Sequence, residues 1–397
     1  MSPLALTRFT AVSAVGCGLA ETLDAMQQQR SGLAPCAFET VDLQTHIGEV
    51  AGVDATALPE ALRSFNCRNN RLAELGLMQD DFAAAVAQSV KHWGPRRIGV
   101  VLGTSTAGIL ETELAYRARA PGTGALPQDF NYAATHNSFS VADFVRQRLQ
   151  LEGPAAVICT ACSSSAKAFA SAQRMIRAGV IDAAVVGGVD SLCLTTLYGF
   201  HSLQLTSRTA CRPFDVARDG ISIGEAAAFV LLERPSARHD GESIMLLGSG
   251  ESSDAYHMSS PHPEGRGARA SMLQALAAAE LTPGDIDYVN LHGTATASND
   301  SAEDLAVTSV FGTRTPCSST KGATGHTLGA AGALEAVICA LALQHGLMPG
   351  GLNTTEVDPK LNLHYLRQNR SGNIQRVLSN SFGFGGANCS LIFGRAV

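Results

Sequence analysis

Cys162 stands in the stretch Ala155–Gly179, AAVICTACSSSAKAFASAQRMIRAG. The apolar run Ala156–Thr160 has the composition of a short strand, and the small-residue segment that follows has that of a helix stopping at Gly179. This predicts Cys162 at a strand-to-helix turn, where free N–H groups and the positive end of the helix dipole stabilise a thiolate and can hold an oxyanion. By itself, a cysteine among small apolar residues is a packing residue. Two histidine motifs downstream change that reading. His292, in Leu291-His292-Gly293-Thr294-Ala295-Thr296, falls at the carboxyl end of a predicted strand, the edge where ligand and catalytic groups gather in α/β sheets. Gly293 allows close backbone approach, and Thr294 and Thr296 can orient the ring. His326 ends Lys321-Gly322-Ala323-Thr324-Gly325-His326, a small-residue loop leading into a helix. Glu335 is the one charge in the apolar run Leu328–Leu343 and needs a partner, for which Lys321 is the candidate. A thiol and two imidazoles on strand and helix ends suit covalent thioester chemistry.

The elements that position these groups alternate between strand and helix. Helical spacing is expected over Glu21–Arg30 and over Leu72–Trp93, where Leu72, Leu75, Phe82, Val86 and Val90 share a face. Strands are expected at Leu4–Val15 (with its loop), Ile98–Leu102, Ala183–Gly187 and Ala227–Glu233, with a helix at Val141–Leu149. After the polar stretch Ala237-Arg238-His239-Asp240-Gly241 a second series begins. It has strands at Ile244–Gly248, Tyr288–Leu291 and Cys389–Phe393, a helix at Ala268–Glu280, and Pro316–Ser319 leading through a loop into a helix from about Leu328 to Gln344. Such alternation predicts an α/β fold with covered, largely parallel sheets. AAVICTACSSS-helix-AG in the first series echoes TPCSSTKGATGH-helix-HG in the second, so two duplicated halves are expected, 1–240 carrying Cys162 and 241–397 carrying both histidines.

Composition narrows the class. The 397 residues are 45% hydrophobic and 16% charged, enough to bury a large core. A net charge of −6 argues against bulk attraction to nucleic acid or to anionic membrane. No run of about eighteen apolar residues is evident, so no membrane span is expected. Ten scattered cysteines suit reduced thiols and a cytoplasmic location. Ala14-Val15-Gly16-Cys17 has the look of a lipoprotein cleavage box, but Thr7, Thr10 and Ser13 interrupt the hydrophobic stretch before it. The pair Cys159–Cys162 spells C-x-x-C; with Cys159 placed inside the strand, a redox role is the weaker reading.

Further motifs lie in order along the chain: Cys211-Arg212-Pro213-Phe214-Asp215 with Arg218-Asp219-Gly220, Ser253-Asp254-Ala255-Tyr256, and Ser381-Phe382-Gly383-Phe384-Gly385-Gly386-Ala387-Asn388. With those above, they make the chain resemble the β-ketoacyl-(acyl-carrier-protein) synthases of the elongating Cys-His-His class, condensing enzymes of the thiolase fold. The resemblance spans roughly residues 100–395; the first hundred match loosely and lack the usual glycine-rich opening. It implies a five-layered α-β-α-β-α core, a homodimer, and catalysis without a metal or redox cofactor. It also implies Cys162 as the acyl-accepting nucleophile, His292 and His326 as the pair that promotes malonyl decarboxylation, and Lys321 with Glu335 as their electrostatic support. Phe384 matches a gating residue whose N–H, with that of Cys162, forms an oxyanion hole.

Departures from the family pattern are Ile221-Ser222 after Arg-Asp-Gly, Gly224-Glu225-Ala226 for Gly-Glu-Gly, and Lys167 in the helix after Cys162. The serine-rich run after Cys162 resembles condensing enzymes of specialised pathways. A degradative thiolase would need a second reactive cysteine, whereas Cys389 reads as core. An initiating synthase would use Cys-His-Asn, and a chain-length-factor subunit would lack the nucleophile. Gly103-Thr104-Ser105-Thr106-Ala107 lacks the second glycine of a serine-hydrolase elbow, and Gly383–Gly386 opens no βαβ unit. His257 and His262 have no metal-like spacing. The implied partner is an acidic acyl carrier protein, for which Arg63, Arg68, Arg71 and Arg208 are candidate docking residues.

Overall fold

The computed structural model describes residues 3–235 and 243–396. The division at 240/241 and the polar stretch Ala237–Gly241 lie outside the described residues. Five strands of the first series are β1 (Leu4–Ser13), β2 (Ile98–Gly103), β3 (Ala155–Ile158), β4 (Ala183–Asp190) and β5 (Ala226–Glu233). Five of the second are β6 (Ile244–Ser253), β7 (Tyr288–Asn290), β8 (Pro316–Ser318), β9 (Arg376–Gly383) and β10 (Ala387–Arg395). The first set is ordered β3-β2-β4-β5-β1 and the second β8-β7-β9-β10-β6, the same permutation twice. The two sets meet where Leu4 and Ala5 of β1 pair antiparallel with Leu246 and Met245 of β6. The faint echo in the sequence is thus a repeat of topology: each echoed segment contains the third strand of its set and the turn after it.

Each set is mixed rather than largely parallel. β2 pairs parallel with β3 and β4, but β5 runs antiparallel to β4 and β1. Likewise β7 pairs parallel with β8 and β9, while β10 runs antiparallel to β9 and β6. In the second set the reversal is made by the tight turn Phe384–Gly386, where Gly385 and Gly386 take φ of 82° and 77°, a region that favours glycine.

Both faces of the sheets are covered, as their apolar strands require. The helices α1 (Arg68–Leu77), α2 (Phe82–Trp93) and α3 (Ser140–Arg148) cover one outer face. There Leu72, Phe82 and Phe144 pack on Val100, Leu102, Val185 and Phe229. The neighbouring strand residues Val101, Val186, Ala228 and Val230 point to the opposite face by strand alternation. They meet the central pair α4 (Ser164–Arg177) and α7 (Ala331–His345), which also contact Val377, Leu391 and Phe393 of the second set. On the far side, α5 (Arg266–Ala279) and α6 (Ala297–Phe311) place Met272, Leu276 and Val307 on Val289, Leu378 and Ile392. The order is α-β-α-β-α.

Three local expectations change. The single helix over Leu72–Trp93 is two, α1 and α2, because Asp80 and Asp81 take φ of 53° and 55°. The Asp80 carboxylate accepts from Leu19 N and Thr10 Oγ1, so the break anchors β1. Periodicity ran through it because both helices put apolar residues on the same sheet. Helix α6 went unforeseen: its buried face carries Asp300, Glu303 and Asp304 beside Ala302, Ala306 and Val307, which breaks the apolar stripe. Finally, Leu328–His345 is long and apolar enough to cross a membrane by length and composition, yet 89% of it is buried inside the fold. It is the core helix α7 with the 3-10 turn before it.

Candidate active site

The chain leaves β3, turns at Ala161, whose φ is 51°, and enters α4 two residues after Cys162. An L-residue in the left-handed region costs about 1–2 kcal/mol, and here side chains hold it. Ser163 Oγ donates to Thr160 O and Ser164 Oγ to Ala161 O, at 2.9 and 2.6 Å. Ser165 Oγ accepts from Ala333 N at 2.9 Å and ties α4 to α7. The serine-rich run is therefore scaffold of the turn.

Cys162 is 5% exposed, and its Sγ lies 3.0 Å from His326 Nε2. Burial pushes the thiol up to about 11, opposed by the Lys321 charge and by the N–H groups of Phe384 and Cys162 itself. The expected resting thiolate is replaced by a thiol with a proton acceptor beside it, because desolvation outweighs the helix end. Burial likewise holds both imidazoles well below the usual histidine range, helped in each by Lys321. The two rings meet edge to face, centroids 5.2 Å apart.

His292 follows β7. Its N–H and that of Gly293 donate to the two oxygens of Glu303, each at 2.8 Å. Burial raises this carboxyl to about 7, against the pull of those two N–H groups. Asp300 accepts from Thr294 N and Phe214 N, at 3.1 and 2.8 Å. This gives the Pro213-Phe214-Asp215 motif a role: it backs the His292 loop. Sequence reasoning missed both carboxylates; the i, i+3, i+4 acidic spacing just after His-Gly-Thr was the available signal. Thr294 and Thr296 pair with each other through their hydroxyls at 2.9 Å and line the cavity, rather than holding the ring.

His326 is clamped by its backbone: its N–H donates to Ser222 O at 2.7 Å, and its O accepts from Gly224 N at 2.9 Å. Three residues on, Gly329 N donates to buried Asp190, which also accepts from Thr104, Ser105 and Thr106 of the other half. Lys321 and Glu335 form the expected pair, both buried. Lys321 Nζ also donates to His292 O at 2.6 Å and sits 3.4 Å from His292 Nδ1. An ammonium facing Nδ1 leaves the ring proton on Nε2, toward the cavity.

Cys162, both histidines, Thr294, Thr296 and Phe384 line one cavity of about 590 Å³, its open mouth included. Phe384 packs against Phe200, ring centroids 5.5 Å apart; Phe200 was not foreseen. Ile221, one of the departures, lines the same cavity. The loop after β6 straps the Phe384 turn: Gly385 N donates to Met258 O, and Asn388 Nδ2 to Asp254 Oδ1. Cys159 lies just past β3 and is exposed, not inside the strand as expected; Cys389 is buried in β10 as expected, and all ten cysteines are free. Lys167 is accounted for by Glu251, 3.7 Å away.

The docking candidates separate. Arg68 is 2% exposed, so it is not a docking residue. Its guanidinium bonds both oxygens of buried Glu225, at 2.6 and 2.9 Å, and Asp54 at 2.8 Å. Glu225 accepts in turn from Val50 N and Leu192 N, and it adjoins Gly224, the clamp on His326. Arg71 is half-buried on Asp54, and Arg63 is exposed but paired with Glu60. Arg208 is exposed, three residues from the cavity-lining Leu205. Arg68→Lys keeps the charge and loses the fork, so thermal unfolding should show a loss of about 1–3 kcal/mol. Unchanged stability together with a raised KM for a carrier-bound substrate would restore a docking role.

Two family models match the chain: the β-ketoacyl synthase N-terminal domain over residues 68–238 and the C-terminal domain over 244–355. The chain belongs to the β-ketoacyl synthase family and is an acyltransferase of the thiolase-like fold. It is 38% identical to 3-oxoacyl-(acyl-carrier-protein) synthase 2 of Rhizobium meliloti over 338 residues, 79% of each chain. Against the mitochondrial 3-oxoacyl-(acyl-carrier-protein) synthase of Arabidopsis thaliana it is 39% identical over 63% of this chain, a match spanning 58% of that protein. In three dimensions it resembles a chain of the complex between a ketosynthase and its chain length factor from Xenorhabdus doucetiae. That likeness has a TM-score of 0.90 and 38% identity, and covers all of this chain and 98% of that one.

Proposed function

We propose that the chain condenses an acyl thioester with a malonyl thioester, both on acyl carrier protein, to give a 3-oxoacyl thioester. The observation that carries this is Cys162 Sγ at 3.0 Å from His326 Nε2, in a cavity that also receives His292. In the first half-reaction the thiol proton passes to His326, Sγ bonds the acyl carbon, and the proton leaves with the carrier thiol. The N–H groups of Cys162 and Phe384 both face Sγ and hold the carbonyl oxyanion. In the second, the malonyl thioester oxygen lies against the two imidazoles while CO2 departs. The enolate carbon then attacks the acyl carbon, and Cys162 leaves as thiolate and regains a proton. Glu303, Lys321 and Glu335 keep the rings in place. Malonyl- and acyl-loaded carrier protein should together give a product two carbons longer; no acyl adduct from any of a panel of carrier thioesters would overturn the reading.

For the partners, the names of the relatives support a carrier protein. We infer that it docks beside the cavity with Arg208 as one contact. Arg208→Glu should raise KM for the carrier-bound substrate several-fold in low salt and leave turnover of a small acyl thioester unchanged, since steering acts on encounter. Equal losses on both would remove Arg208 from the surface. A second copy of this chain is the proposed subunit partner; the Xenorhabdus ketosynthase, paired with a chain length factor, supports a homologous subunit as the other candidate. Cys162 makes this chain the catalytic member of a mixed pair, and both members of a homodimer catalytic. Ten free thiols fit a cytoplasmic location.

A further inference from the structure

The three groups that face the cavity also form a ligand set. One donor atom each from Cys162, His292 and His326 lies within 4.8 Å of the others, and all three residues are buried. A tetrahedral zinc ion with one sulfur and two nitrogen ligands needs donor separations of about 3.4–3.6 Å. The Sγ to His326 Nε2 edge is 3.0 Å and no edge exceeds 4.8 Å, so the three donors lie within about 1.5 Å of that spacing. The backbones that carry the donors are held by the Ser222–Gly224 clamp, by Glu303 and by the serine-stitched turn. The fourth position opens on the cavity, where the Thr294 and Thr296 hydroxyls lie.

We propose that the Cys162–His292–His326 cluster is also a binding site for a soft divalent cation of the zinc class, which reversibly occupies the acyl-accepting thiol and inhibits the enzyme. Inhibition rests on the reading of Cys162 as acyl acceptor; binding does not. Binding releases one proton, from the Cys162 thiol as its sulfur bonds the metal. The His292 ring proton shifts from Nε2 to Nδ1, which displaces the Lys321 contact at that nitrogen. Lys321 keeps its bonds to His292 O and Glu335. The nearby ammonium weakens the site relative to a structural zinc site, which makes occupancy reversible. Hard cations such as Mg2+ find no oxygen cage here and are excluded by donor type.

The test uses the purified full-length protein with Cd2+ as a spectroscopic probe and Zn2+ as the inhibitor. One equivalent of Cd2+ should produce the ultraviolet thiolate-to-metal band and release one proton, and Cys162→Ala should lack both. His292→Ala and His326→Ala should bind at least about tenfold more weakly, by the same titration. Zn2+ should protect Cys162 from iodoacetamide in peptide mapping, reversibly by chelation, while Mg2+ should not. A band that persists in Cys162→Ala would place the metal on other thiols and overturn the site. Full affinity in both histidine variants would reduce it to a lone thiol and overturn it equally. The function reading fails separately, if metal-free wild type takes no acyl group on Cys162.

Discussion

Cys162→Ala should form no acyl-enzyme with any carrier thioester and should lose at least about 10³-fold in condensation, because among the described residues no other thiol joins the imidazole pair. Decarboxylation of malonyl thioester should continue in that variant, since His292 and His326 keep Glu303, Lys321 and the Ser222–Gly224 clamp. The measurement is intact mass for the adduct and CO2 release for the second step, on the same preparation. Condensation at the wild-type rate, or a stable acyl adduct on another cysteine, would move the nucleophile elsewhere. The resting thiol also fixes an order of events. With burial pushing Cys162 up to about 11, the proton must leave to His326 as the sulfur attacks, so His326→Ala should slow acylation as well as decarboxylation.

Breaking the Lys321–Glu335 pair is the second large effect. Both residues are buried, and either alanine variant leaves a full charge without its partner, at a cost of about 3–5 kcal/mol. Lys321→Ala and Glu335→Ala should therefore each lower the unfolding midpoint sharply. The double variant Lys321→Met/Glu335→Leu should recover much of the loss, because no isolated charge remains. Condensation should stay low in the double variant, as nothing then holds His292 O and Nδ1. A stable double variant with wild-type activity would make the pair scaffold alone. Single variants as stable as wild type would show that water reaches the site and that burial does not set the energetics there.

Local patterns carried most of the strands and the reactive residues. Apolar runs with turn residues behind them located β2 through β7 within a few residues, and the small-residue loops around Cys162, His292 and His326 marked the chemistry. The strand β9 and the helix α6 escaped. Arg376–Gly383 mixes Asn and Ser into a buried strand, and α6 buries carboxylates that backbone N–H groups satisfy. Neither is visible to a pattern that equates inside with apolar. The Asp80–Asp81 break was hidden for a related reason: its side-chain partners on β1 and Leu19 are some sixty or seventy residues away in the chain.

By itself the sequence determined the class of the protein, since the order and spacing of Cys, His-Gly-Thr, Lys-Gly-Ala-Thr-Gly-His and Phe-Gly-Phe-Gly-Gly leave few other chemistries. It determined the alternating α/β layering and the Lys321–Glu335 pair, where a lone carboxylate in an apolar helix has to find a cation. Tertiary structure alone decided what depends on burial and on distant neighbours. Arg68 looks like any surface arginine until Glu225, 157 residues away, takes its fork. Cys162 looks like a helix-end thiolate until the surrounding protein removes the water that would stabilise the charge. Charge type is written residue by residue, whereas desolvation belongs to the packed whole.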